Sequence, residues 1–227
     1  MSYKLTLLFV FVGLLILLSS FRKERKKRII FFGDSITEKG SEPTGYITAI
    51  KNILRQQDID NYELINAGVG GNTIANLYQR IEEDVISRSP DIVVINIGVN
   101  DVWHKRTHNT GTDIFTFEKL YREVIKKLQA ANTKLVLCTP AAIGEKKNDA
   151  NEQDEDLDDY AIIIKHIGND WQLPVCDARM LFKNYINEHN IYDEEYGILT
   201  TDGVHLNEAG NRLVADAIWK QMETMIK

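Results

Sequence analysis

Four short clusters in the 227-residue chain combine the residue types that acyl-transfer chemistry requires. They are Gly33-Asp34-Ser35-Ile36, Gly68-Val69-Gly70-Gly71-Asn72-Thr73, Gly98-Val99-Asn100-Asp101 and, far downstream, Asp202-Gly203-Val204-His205. A serine hydroxyl is a poor nucleophile until a neighbouring imidazole takes its proton, and that imidazole needs an acceptor on its other nitrogen to fix tautomer and orientation. His205 and Asp202 supply both parts. Being three residues apart on a turn that leads into a helix, their side chains can lie on one side, and Gly203 permits a backbone shape that a side chain would hinder. A developing oxyanion must meet fixed donors, and the backbone N–H groups of Ser35 and Gly71 with the side-chain amide of Asn100 make a set of three. Asp34 and Asp101 adjoin these residues and are expected to brace loops rather than react. Structural roles stay open for the same positions: Ser35 as a helix cap, Asn100 as a turn residue satisfying its own backbone. Gly68 and Gly70 are read as tight-turn residues only.

The elements that must position these groups can be read from hydrophobic periodicity. Short β-branched or aromatic runs bounded by Gly, Asn or Pro predict strands at Arg28–Phe32, Tyr62–Ala67, Asp91–Gly98, Lys134–Thr139 and Pro174–Asp177. Helical spacing joins Tyr46, Ile47, Ile50, Ile53 and Leu54, then Ile74, Leu77, Ile81 and Val85, then Leu120, Val124, Ile125 and Leu128. A closing helix from Asn207 to Ile226 carries Leu213, Val214, Ala217, Ile218 and Met225 on one stripe. Near-continuous apolar strands alternating with helices imply a parallel sheet covered on both faces. In such sheets ligands meet the carboxyl ends of the strands, and the four clusters fall at predicted strand ends or just before the final helix. No internal repeat or linker divides the chain, so residues 28–227 read as one catalytic domain behind an N-terminal segment, 1–27.

Taken together, order and spacing of the four blocks resemble those of the SGNH hydrolases, the GDSL family of esterases and lipases, over about 200 residues. The resemblance implies a flavodoxin-like α/β/α sandwich and metal-independent ester hydrolysis through an acyl-serine. It assigns the nucleophile to Ser35, the base to His205, the orienting acid to Asp202, and the oxyanion site to Ser35, Gly71 and Asn100. Ile36 stands where the family usually has Leu, a position that only packs. With no long apolar insertion to form a lipid tunnel, a small acetyl-like ester of an alcohol or carbohydrate is the expected substrate. Lysophospholipase or thioesterase activity, acyl transfer to a sugar hydroxyl, and glycan binding without cleavage are the alternatives.

Composition removes other classes. Residues 1–28 hold seven Lys/Arg against one Glu, leaving 20 basic against 32 acidic residues over the other 199, so the body is acidic and nucleic acid is not its expected partner. The glycine run lacks dinucleotide spacing, and no cofactor is expected. His104, His108, His166 and His189 share no ligand spacing, so no metal site is expected. Cys138 and Cys176 end two predicted strands and are expected as buried thiols rather than a bridge. The acid-rich segment Glu145 to Asp159 is expected as a solvated loop and helix start, with a gate over the pocket as the alternative. Trp103 can line the acyl or alcohol side of the site or pack in the core.

Residues 5–21 carry no charge, and the basic run Arg22, Lys23, Arg25, Lys26, Lys27 and Arg28 follows. The stretch is apolar all round, as a membrane-directed segment is. Leu17 and Leu18 occupy positions where signal cleavage wants small residues, which favours an uncleaved anchor over a signal cleaved to give a secreted or periplasmic protein. By the positive-inside rule the basic run holds the domain on the cytoplasmic side.

Overall fold

A computed structural model describes residues 25–226. Five strands, β1 (Lys27–Gly33), β2 (Tyr62–Gly68), β3 (Ile92–Asn96), β4 (Lys134–Cys138) and β5 (Val175–Cys176), form one parallel sheet in the order β2-β1-β3-β4-β5. Each lies within two residues of its predicted bounds. Alternation along the strands divides the core. Ile29 and Phe31 of β1, with Ile92 and Val94 of β3, face one layer; Ile30, Phe32, Val93 and Ile95 face the other. Helices α2 (Tyr46–Gln56), α7 (Ala178–His189) and α8 (Glu208–Ile226) cover the first face; α3 (Ile74–Asp84), α5 (Ile114–Ala130) and α6 (Asp154–Asp170) cover the second. The result is the three-layer α/β/α sandwich.

Helix α5 illustrates why these segments fold as they do. Phe117, Tyr121, Val124, Ile125 and Leu128 recur at helical spacing and are all buried. Each such side chain is worth about 1.5–3 kcal/mol on burial. Asp113 caps the helix, accepting from the N–H of Phe115 (3.1 Å) and Thr116 (3.0 Å), a contribution of about 1 kcal/mol. Packing on the sheet therefore outweighs the cap in holding the helix. In α8 the buried stripe is Val214, Ala215, Ile218, Met222 and Ile226, whereas the predicted Leu213, Ala217 and Met225 are only partly covered.

Four helices were not among those read from periodicity: α1 (Ser35–Lys39), α4 (Val99–Thr107), α6 and α7. The acid-rich segment corrects its expectation in part. Asp154, Glu155 and Asp156 do open α6, but Glu145 is fully buried and Asp154 nearly so. Asp154 pairs with the buried Arg179 guanidinium at 2.7 Å, and Arg179 also reaches Asp158 at 2.6 Å. Cys138 and Cys176 sit opposite each other in the β4–β5 register as buried free thiols. Among the described residues no helix is long and apolar enough to cross a membrane. Residues 5–21, on which the anchor expectation falls, lie outside them.

Candidate active site

The sheet register brings the first three clusters to one place. Gly33 ends β1 level with Gly68 of β2 on one side and Asn96 of β3 on the other, so three turns leave the sheet at the same height. The chain has passed from β1 to β2 on one side and then to β3 on the other, which makes this the switch point where such sheets bind ligands.

Ser35 is the first residue of α1, and the cap of that helix is Asp34, whose Oδ1 accepts from the Ile36 N–H at 2.9 Å. Capping therefore leaves the Ser35 hydroxyl free. It lies 3.0 Å from His205 Nε2, and His205 Nδ1 lies 2.7 Å from Asp202 Oδ2. A carboxylate can only accept, so Nδ1 carries the proton and Nε2 faces the serine as an acceptor. Asp202 is fixed in turn by its own loop: Oδ1 accepts from the N–H groups of Val204 (3.0 Å) and His205 (2.8 Å). Partial burial pushes the Asp202 carboxyl up, but the His205 ring and these two N–H groups outweigh it and hold the group below the ordinary carboxylate range. Gly203 takes φ +92°, a conformation that side chains rarely adopt and that closes the Asp202–His205 turn.

The second cluster lies beside the serine. The Gly70 backbone approaches Ser35 so closely that a β-carbon built on the glycine would sit 4.0 Å from Ser35 Cβ. Neither the Ser35 nor the Gly71 N–H has an acceptor among the described residues. Asn100 is not a self-satisfied turn residue. It sits in the first turn of α4 and donates from Nδ2 to the carbonyl of Asn72, the residue after Gly71, at 3.0 Å.

Asp34 and Asp101 are both buried and both accept backbone N–H groups. Asp101 receives the N–H of Ile74 at 3.1 and 3.2 Å, tying the third cluster to the start of α3. Burial pushes Asp34 up to about 7 against the opposing Ile36 N–H, with the Asp101 charge adding to the rise. Burial likewise raises Asp101 to about 6 against hydrogen bonds from Thr112 and Ile74. Trp103 is half-buried and packs on the core.

Four residues do more than the sequence reading gave them. Arg80 donates to the Gly33 carbonyl (2.8 Å) and to Asn72 Oδ1 (2.7 Å), pairs with Asp84 at 2.6 Å and stacks over Phe32, so it joins the turn after β1 to the turn after β2. No one-dimensional signal marks it. A β-carbon built on Gly71 would sit 4.0 Å from the His104 ring. His104 lies four residues after Asn100, a spacing that shares one helix face, so the helical reading of 99–107 would have found it. Gly68 and Gly70 are more than turn residues, because a β-carbon on Gly68 would meet the Glu38 nitrogen of α1 at 2.1 Å. Among the described residues no group of three His, Cys, Asp or Glu side chains is disposed to hold a metal ion.

Comparison with known proteins identifies the family. The model of the GDSL-like Lipase/Acylhydrolase family matches residues 31–213. An acetylxylan esterase of Geobacillus stearothermophilus is 28% identical over 86% of this chain and 94% of its own. The crystal structure of an acetyl xylan esterase, AlAXEase, superposes with a TM-score of 0.83 at 52% identity, covering 85% of this chain and 98% of that one. A structure of the Geobacillus esterase gives 0.76 at 26% identity, over 87% and 94% of the two chains, and its catalytic mutants replace a serine, an aspartate or a histidine by alanine. With its match extending from β1 into α8, the chain belongs to the GDSL-like lipase/acylhydrolase family and is a carboxylic ester hydrolase of that family.

Proposed function

We propose that this protein removes acetyl groups from acetylated xylan or its oligosaccharides, with Ser35 as nucleophile, His205 as base and Asp202 as orienting acid. The observation that carries the reading is the unbroken line of short contacts from Ser35 Oγ through His205 to Asp202. Ser35 attacks the ester carbonyl as its proton passes to Nε2. The oxyanion is met by the N–H groups of Ser35 and Gly71 and the Asn100 amide, each donor worth on the order of 10²–10³ in rate. The imidazolium then protonates the departing sugar oxygen, leaving an acetyl-serine. Water, deprotonated by the same nitrogen, attacks the acetyl carbon, and acetate leaves as Ser35 regains its proton. Asp34 and Asp101 hold the loops and take no part in proton transfer.

The acetyl-carbohydrate preference draws support from the acetylxylan esterases among the relatives. A panel of esters varied in acyl length and in sugar or simple alcohol, with and without an acceptor alcohol, tests it. Fastest release of acetate from acetylated xylo-oligosaccharides is expected; preference for long acyl chains would indicate a lipase, and net transfer to the acceptor an acyltransferase. For location, we propose that residues 1–27 direct the chain to the membrane for export, with residues 28–227 forming the hydrolase domain. A polymeric substrate outside the cell favours export over the inward orientation suggested by the basic run alone.

A further inference from the structure

The loop carrying Asp202 and His205 runs from the end of α7 to the start of α8 with almost no regular structure, its one internal ladder being the isolated bridge between Thr200 and Leu206. Yet the contacts between Asp202, His205 and Ser35 demand that it be placed to a fraction of an ångström. What places it is a side chain from elsewhere. Glu145, in the loop after β4, is completely buried and accepts three backbone N–H groups of this segment at 2.7 Å each: Ile198 on one carboxylate oxygen, Leu199 and Thr200 on the other. No cation pairs with it among the described residues, so these charge-assisted bonds are its compensation for leaving water.

Backbone stitches reinforce the same junction. The Gly144 N–H donates to the Gly203 carbonyl at 2.8 Å, and the Glu145 N–H donates to the Glu195 carbonyl at 2.9 Å. The buried Asn190 amide donates to the carbonyls of Glu145 (2.6 Å) and Glu194 (2.8 Å). At the other side, Arg179 donates to the Ala141 carbonyl at 3.3 Å and anchors the loop to the first turn of α6. A rigid path thus leads from β4 and α6 through Glu145 to Thr200, two residues before Asp202.

We propose that Glu145 is a positioning residue for catalysis: its carboxylate sets the register of the Asp202–His205 loop against Ser35 by collecting the three N–H groups of residues 198–200. The inference rests on the reading of Ser35, His205 and Asp202 as the reacting groups. Only a carboxylate with two acceptor oxygens meets the three donors. A glutamine at this position retains one acceptor oxygen and turns an amide N–H₂ against an N–H donor, which displaces the loop while keeping side-chain volume. A displacement of about 1 Å in a reacting group costs on the order of 10²-fold in rate.

The test compares wild type, Glu145→Gln and Glu145→Asp by steady-state hydrolysis of a simple aryl acetate, by thermal unfolding, and by the downfield proton resonance of the His205–Asp202 hydrogen bond. In folded Glu145→Gln the expected result is a kcat lowered about 10²-fold with KM within about twofold, and loss of the downfield resonance. Glu145→Asp, keeping the charge at shorter reach, recovers part of kcat. Wild-type kcat and an unchanged resonance in a folded Glu145→Gln protein would overturn the proposal, whatever the change in melting temperature. Should Glu145→Gln not fold, Asn190→Ala loosens the same junction from the other side, and an unaltered kcat in that variant overturns it equally. The resonance is read without substrate. Its loss in Glu145→Gln supports the positioning role even where the wild type fails to hydrolyse acetyl esters, a result that would defeat the proposed function alone.

Discussion

In the proposed mechanism, proton transfer depends on which nitrogen of His205 carries hydrogen, and Asp202 sets that by accepting at Nδ1. The two residues therefore differ in what their loss removes. His205→Ala deletes the base itself and is expected to reduce kcat by about 10⁴-fold or more, whereas Asp202→Asn keeps the imidazole but disturbs its tautomer and is expected to leave measurable residual turnover. Equal loss in the two variants, measured by single-substrate kinetics, would contradict this division. Asp34 carries a different prediction. Its carboxyl is raised by burial from 3.8 to about 7, so between those values the folded protein holds a proton that the unfolded chain has released. The contribution to stability is full below about pH 4 and is lost as pH rises through about 7. Denaturant midpoints of wild type and Asp34→Asn should therefore diverge with rising pH, the wild type losing ground; parallel curves would show that the group titrates normally. Arg80 and Glu145 show where residue-scale reading of a sequence runs out, because the Gly33 carbonyl that Arg80 reaches lies 47 positions away, the partners of Glu145 lie 53–55 positions away, and neither neighbourhood announces them.

Among the elements, strands were the legible ones. Runs such as residues 92–95 are buried on both faces and so are apolar without interruption, a pattern that a parallel sheet imposes. Long helices with a wide buried stripe, α2, α3 and α5, were equally plain. Helices α1 and α4 lacked that stripe. Helix α1 is only five residues long and α4 buries Asn100 and Asp101 among its inward residues, so polar groups interrupt the periodicity at the point where chemistry needs them. The same pressure explains the glycines of the second cluster. Gly68 lets β2 end against the backbone of α1, and Gly68→Ala would drive a methyl group to 2.1 Å from the Glu38 nitrogen. Relief requires moving the helix that begins with Ser35. Such overpacking typically costs about 1–3 kcal/mol, and the expected outcome is a lower melting temperature together with a fall in kcat. A Gly68→Ala protein with wild-type kcat would show that α1 can shift without carrying Ser35 out of line.

At the scale of the molecule, the sheet order alone places the site. Reversal of the chain beside β1 opens the crevice between the ends of β1 and β3, and Ser35 and Asn100 flank it while α8 closes the sandwich behind His205. The charge is divided between an acidic body and a basic N-terminal run. Cell fractionation with N-terminal sequencing checks the proposed export: a released product beginning near Phe21 or beyond, or a full-length protein on the outer face by protease accessibility, fits it, and a full-length protein shielded from protease in intact cells would contradict it. The account as a whole stands on Ser35 as the nucleophile of an acetyl esterase. Acetate release from acetylated xylo-oligosaccharide, measured side by side for wild type and Ser35→Ala with folding verified by circular dichroism, tests it most directly. Steady release by the wild type and a loss of about 10⁴-fold or more in the alanine variant is the result expected; undiminished release by a folded Ser35→Ala protein would contradict it.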